Sequence, residues 1–283
     1  MKKIKIIALI ISAVLFVSGL TLSIISACML NFDFSKLDTT VYENKTNIIK
    51  EKFDAIDVAT VSDNIVFELS PDDSCKIEYT ETDKITYSIG VSENTLKIGY
   101  DDKSYNIIGL NFFNIKHDSK MIIHIPAKTY TSLKADSVSG NINTDAVFGK
   151  AGFEKSKLHT ISGDIQSKLS SGSAEYSSTS GDINAEGEYY SDISISTVSG
   201  DIKLNEFDTG TLDVHTTSGD VSINNIKIVE GKIETVSGDI EGSLNGRYDI
   251  TTDTVSGDIK VNSSVNAKRK LSLKTVSGDM IIR

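Results

Sequence analysis

Thr197-Val198-Ser199-Gly200-Asp201-Ile202 is one of eight copies of a single pattern. The glycines are Gly140, Gly163, Gly181, Gly200, Gly219, Gly238, Gly257 and Gly278, at successive spacings of 23, 18, 19, 19, 19, 19 and 21 residues. The residue before each glycine is always Ser. The residue after is Asn141 in the first copy, then Asp164, Asp182, Asp201, Asp220, Asp239, Asp258 and Asp279. Two after is always apolar, and three before always carries a hydroxyl. Self-similarity at a fixed period of this size marks a repeat architecture, in which each unit packs on its neighbours.

Outward from the corner the pattern alternates. Leu212, Val214 and Thr216 lead up to Ser218-Gly219-Asp220, and Val221 and Ile223 resume the alternation beyond it. Period two around a turn is a strand signature, and no window here has helical spacing. A unit of about 19 residues is too short to hold a crossover helix. Antiparallel hairpins would give a meander or barrel; a coil returning above itself gives a β-solenoid. The near-identical register of the units favours the solenoid, because like residues then stack into ladders. The predicted fold is all-β: a single-stranded parallel β-helix of about 19 residues per coil, right-handed by analogy. At one strand spacing per coil, eight motifs make a rod roughly 34 Å long.

At the corner, glycine is expected to supply a positive φ, and Ser and Asp to hydrogen-bond nearby backbone. The eight glycines and seven aspartates therefore read as structural repeat turns. A ladder of carboxylates also offers hard oxygen ligands of the kind Ca²⁺ prefers. The longer Gly/Asp nonapeptide of Ca²⁺-binding solenoids is absent, and no metal or cofactor is expected.

The chain has 283 residues and a formal net charge of −10. Met1-Lys2-Lys3-Ile4-Lys5 precedes an uncharged, mostly apolar run from Ile6 to Leu30. That run is long enough to span a bilayer and longer than the usual core of a cleaved signal. Lys2, Lys3 and Lys5 place the N-terminus in the cytoplasm by the positive-inside rule. A rival reading is a lipoprotein box at Ile25-Ser26-Ala27-Cys28, with Cys28 lipidated. Either way the chain is expected to be membrane-tethered and mostly extracellular. The rest of the chain carries the other 26 of the 29 basic residues and all 39 acidic ones, a net charge of −13. This charge disfavours nucleic acid as a partner. Cys75 is the only cysteine beyond the anchor, so it reads as a buried filler with no disulfide.

The expected organisation is a cytoplasmic tail (1–5), an anchor (6–30), a polar stalk (31–52), an irregular β region or cap (53–130) and the regular solenoid (131–283). Within the irregular region, Val61-Ser62-Asp63-Asn64-Ile65 stands as a degenerate repeat. Lys76–Thr80, Ile85–Val91, Thr95–Tyr100 and Met121–Pro126 read as strands. Ile107–Ile115 reads as a plug for the open core, or else an exposed apolar patch. The chain stops within its last repeat at Asp279-Met280-Ile281-Ile282-Arg283, which suggests an uncapped final coil available for homo-oligomerisation.

Catalytic signatures are absent. No nucleophile elbow, P-loop or dinucleotide fingerprint occurs. His159 and His215 both lie four before their glycine, three coils apart, which is about 14 Å along a rod and too far to share a metal. His117 and His124 lack metal-ligand spacing. Polysaccharide-active enzymes also use β-helices, but with longer, irregular coils that build a cleft.

The repeated Thr-Val-Ser-Gly-Asp-Ile, with Asn31-Phe32-Asp33-Phe34-Ser35-Lys36-Leu37 after the anchor, resembles the bacterial putative-adhesin family of membrane-anchored β-strand-repeat proteins. The resemblance covers roughly Phe53 to Arg283. It implies an exported β-solenoid of unknown function with a protein or glycan partner at the cell surface. Some relatives are encoded beside cell-envelope stress systems, which implies an alternative role as an accessory in sensing. No catalytic residues follow from it.

Overall fold

A computed structural model describes residues 41–83, 85–102, 119–187, 190–206 and 208–283. The chain divides into two compact units. One comprises Tyr42–Lys103 with Asp118–Arg283; the other comprises Met1–Val41 with Ser104–His117, where only Val41 is described. The expected anchor, Cys28, His117 and the apolar run Ile107–Ile115 lie outside the described residues. Among the described residues, no helix is long and apolar enough to cross a membrane.

The larger unit is an all-β solenoid. In each regular coil a long strand enters the Ser-Gly-Asp corner and a short strand leaves it, as Tyr190–Ser196 and Ile202–Asn205 do. Long strands stack on long strands and short on short, all parallel and in register apart from one shift between Ile223 and Ile226. One column runs Leu158, Tyr176, Ile195, Val214, Ile233. Another runs Ile142, Ile165, Ile183, Ile202, Val221, Ile240. Both columns face inward and are almost wholly buried, each side chain contributing about 1.5–3 kcal/mol by leaving water. β-branched residues suit this packing because their stiff χ1 fits the pleated surface. Backbone pairing continues through the corner: the amides of Ser162, Ser199 and Ser218 donate to Val138, Thr179 and Val198 one coil earlier.

The coils do not stack in chain order at either end. Ala55–Thr60 lies between Thr129–Ser137 and Thr95–Asp102, parallel to both. Asn64–Leu69 lies between Ile142–Asn143 and Lys120–Ile125. The degenerate repeat at Asp63 is thus a true coil, seated beneath the Gly140 coil. Antiparallel strands complete this end. Ile85–Ser92 pairs with Thr95–Asp102, and Cys75–Thr82 pairs with both Lys120–Ile125 and Tyr42–Ile49. Tyr42–Ile49 falls within the segment expected as a polar stalk; its alternating side chains place Ile49 in the core.

At the other end the last coil is an interior one. Arg269–Ser277 pairs with the second half of Val221–Glu234 on one side and with Tyr248–Ser256 on the other. Met280–Ile282 lies between Ile240–Leu244 and Ile259–Val261. The order in space is therefore the Gly238 coil, then Gly278, then Gly257. The sequence suggested that the final repeat would be the open edge; the open edge is instead the repeat before it. The physical reason is the seven-residue connection Asn262–Lys268. It is long enough to carry the chain back one level, and it holds to the outer coil through Ser264 N to Tyr248 O at 2.7 Å and Ile250 N to Ser263 Oγ at 2.9 Å.

Candidate functional site

The eight corners form one continuous edge of the solenoid, and they are its most ordered chemical feature. The corners at Gly140, Gly163, Gly181, Gly200 and Gly219 each close on themselves through the hydroxyl three before the glycine. The amide of Gly163 donates to Thr160 Oγ1 at 3.0 Å, and Gly181 to Ser178 Oγ at 2.9 Å. That hydroxyl then donates across the coils, as Thr235 Oγ1 does to Gly219 O at 3.2 Å and Thr275 Oγ1 to Gly238 O at 3.2 Å. Thr160, Ser178 and Thr197 are thereby satisfied as both donor and acceptor.

The aspartates form a second ladder. The backbone N–H of each donates to the side-chain Oδ1 of its neighbour in the stack. The series runs Asn64, Asn141, Asp164, Asp182, Asp201, Asp220, Asp239, Asp279, Asp258, at 2.7–3.0 Å. The bonds reach between coils rather than within a turn. They satisfy a backbone donor that the sharp corner leaves outside the strand ladders.

Glycine is needed for closeness at every corner. A Cβ at Gly163, Gly181, Gly200, Gly219, Gly238 or Gly278 would overlap the carbonyl oxygen of the stacked glycine beneath it. Of the eight corner glycines, only Gly257 has a φ in the left-handed region, at 149°. The expectation of a positive φ is corrected for the other seven. Their backbone is ordinary, and the steric demand comes from the neighbouring coil.

That demand explains Asp63. It occupies the glycine position of the first coil, and among the described residues no Ser-Gly-Asp corner lies beneath it, so a side chain fits. The residue is 6% exposed, and its carboxylate accepts hydrogen bonds from Tyr87 Oη and Ser119 Oγ. Burial, with Asp63 alongside, pushes the Tyr87 phenol well above its ordinary pKa. The sequence showed Asp63 as a departure from the repeat; its role in tying down the end strands depends on partners 24 and 56 residues away.

Between the hydroxyl and the serine sits the one outward-facing apolar position. Val138, Ile161, Val198, Val236 and Val276 are each 37–48% exposed, and Val255 is 82% exposed. With Thr179 and Thr217 between them, they form a ridge of branched side chains beside the aspartate ladder. This feature was legible as a repeated residue type but not as a surface.

The histidines stay apart. His159 and His215 share one column, separated by Ser177 and Ser196, and His159 Nδ1 lies 2.9 Å from Ser177 Oγ. His124 lies between Glu68 and Glu78, at 3.5 and 3.7 Å from their carboxylates on opposite ring nitrogens, so the two cannot converge on one ion. Among the described residues, no group of three or more His, Cys, Asp or Glu side chains is placed to hold a metal. Cys75 is buried, and that burial pushes its thiol up to about 12; it is inert packing. A shallow cleft of about 370 Å³ opens beside Asp208, Lys227 and Arg269. Its cations are engaged: Lys227 with Asp208 at 2.5 Å, and Arg269 with Asn245 O at 3.3 Å.

A solved structure shares this fold. A crystal structure described as a putative adhesin from Bacteroides fragilis superposes with a TM-score of 0.50 at 18% identity, covering 85% of this chain and 97% of that one. A second, also described as a putative adhesin, from Parabacteroides merdae, gives 0.49 at 15% identity, covering 86% and 96%. At such identities the likeness concerns the fold alone. No curated protein matches the chain. The Toastrack DUF4097 domain matches residues 53–283, from the strand that precedes the Asp63 corner to the last residue of the inserted coil, and the chain belongs to that family.

Proposed function

We propose that this chain is a membrane-tethered, extracellular scaffold that binds a protein or glycan at the cell surface along its corner edge. The observation that carries the reading is the ridge of Val138, Ile161, Val198, Val236 and Val276. Isolated exposed apolar residues are ordinary, but a row repeating at one strand spacing is an extended contact surface. The aspartate ladder beside it favours a partner with cationic or hydrogen-bond-donating groups next to an apolar face. The uncharged run Ile6–Leu30 and the lysines before it support tethering with the solenoid outside.

The test uses photo-crosslinking residues at Val198 and Val236 in intact cells, with full-length chain and with chain lacking residues 1–30. The reading expects one defined surface protein or glycan to be captured by both forms, and capture to be lost in Val198→Lys/Val236→Lys. Capture of a membrane protein only when residues 1–30 are present would replace it with the sensing-accessory role.

A further inference from the structure

The corner that receives the final repeat makes specific chemical demands. The Gly238 carbonyl accepts a hydroxyl from Thr275, and its close approach admits only glycine at Gly278. Asp239 Oδ1 accepts the Asp279 amide, and Asp279 Oδ1 accepts the Asp258 amide. Leu271, Leu273, Met280 and Ile282 fill the core between the two flanking coils. The slot thus reads a strand with apolar residues, a hydroxyl, Ser-Gly-Asp and an apolar residue at fixed spacing.

Three observations indicate that this strand is exchangeable. Its connection, Asn262–Lys268, makes two bonds of 2.7 and 2.9 Å to the outer coil and a single longer one to the inserted segment, Asn262 N to Ile282 O at 3.3 Å, and Val265 within it is 81% exposed. The outer coil is held less well than the others. Thr254 Oγ1 is buried without a partner, Gly257 has its unusual φ, and Ile259 is 47% exposed where its counterparts are buried. Finally, the outer coil carries the same hydroxyl, glycine and aspartate as the inserted one. When the slot empties, Thr254, Gly257 and Asp258 can close onto the Gly238 corner in place of Thr275, Gly278 and Asp279.

From these we infer that the space between the Gly238 and Gly257 corners is a strand-acceptor site, and that its partner in trans is the Arg269–Ile282 segment of a second copy. A dimer formed by reciprocal exchange keeps every contact of the monomer apart from the connecting loop. The exchanged segment brings its own Val276 to the corner ridge, and the exchange needs no surface ligand. At the opposite end, Thr95–Asp102 and Lys120–Ile125 stack on the Asp63 coil and antiparallel strands pair with them in turn, so this end carries no second copy of the Ser-Gly-Asp corner to exchange.

The test introduces a protease site at Val265-Asn266 in the full-length chain. After cleavage, the chain is incubated in mild urea with a fluorescent peptide corresponding to residues 269–283. The expected result is replacement of the resident strand at one peptide per chain, with a Gly278→Ala peptide weaker by at least about tenfold. In parallel, two differently tagged intact chains are mixed at high concentration under the same conditions. They are expected to yield a mixed dimer, which Gly278→Ala abolishes. No exchange in cut chains that stay folded by hydrogen exchange, or equal uptake of both peptides, would overturn the assignment. If cutting unfolds the chain, absence of the mixed dimer overturns it alone.

Discussion

The backbone N–H of Asp279 donates to Oδ1 of Asp239 at 2.7 Å, although the sequence places a complete Ser-Gly-Asp repeat between them. The intervening Asp258 lies on the far side, donating its own amide to Asp279. Residues that are equivalent in the repeat therefore occupy unequal positions in the solenoid, and this inequality has measurable consequences.

The first concerns Ile240 and Ile259, which hold the same place after their glycines. Ile240 is wholly buried, whereas Ile259 is half exposed at the open end. Ile240→Ala is expected to cost about 2–4 kcal/mol, in the range of core truncations. Ile259→Ala should cost less than about 1 kcal/mol. Urea denaturation of the two variants checks the difference; equal losses would place both in the interior.

The corner glycines give a second prediction. A Cβ at Gly200 overlaps a backbone carbonyl that cannot move without separating two coils. Gly200→Ala should therefore destabilise by about 3 kcal/mol or more, at the upper end of overpacking costs. The same exchange at Gly149, which touches nothing but has a φ of 69°, carries only the conformational penalty of about 1 kcal/mol. Thermal melts of both proteins compare the two costs directly.

The aspartate ladder requires an acceptor oxygen rather than a charge, since Asn64 and Asn141 already serve in it. Asp220→Asn should leave stability within about 0.5 kcal/mol, while Asp220→Ala should lose about 1 kcal/mol by orphaning the Asp239 amide. A loss in Asp220→Asn as large as in Asp220→Ala would show that the charge itself matters.

Alkaline pH offers a fourth. Burial raises the folded-state pKa of Tyr87, and that of Cys75 to about 12. A group held neutral in this way contributes stability that is complete below its unfolded pKa, near 9 for the thiol and about 10 for the phenol. That contribution is lost as pH rises toward the folded value, because only the unfolded chain ionises readily. Stability should be level from neutral pH up to about pH 9 and fall above it, and Cys75→Val should remove the earliest part of the fall.

Much of this molecule is written plainly in its sequence. Strands, corners and columns follow from Leu212, Val214, Thr216 and their equivalents, because period-two alternation and a fixed 19-residue step leave few ways to bury one face. The buried place of Cys75 and the strand character of the irregular region were equally readable. The stacking order was not, because the Gly257 and Gly278 repeats carry interchangeable chemistry, so nothing in either copy says which lies nearer Gly238. The clue was the 21-residue spacing and the polar connection before Arg269. The reason for the glycines was hidden too, since it lies in a carbonyl from another coil. Asp63 stood out as an irregularity, but its two hydroxyl donors come from distant strands.

The stacking order is tested most directly by paired cysteines. Glu241, Ile281 and Lys260 occupy one row, in that spatial order. Neighbouring strands place Cα atoms within disulfide reach, whereas strands two steps apart, at about 9.6 Å, do not. The inserted arrangement predicts rapid oxidation of Glu241→Cys/Ile281→Cys and none of Glu241→Cys/Lys260→Cys. Efficient oxidation of the Glu241→Cys/Lys260→Cys pair, with the Glu241→Cys/Ile281→Cys pair remaining reduced, would show that the coils stack in chain order.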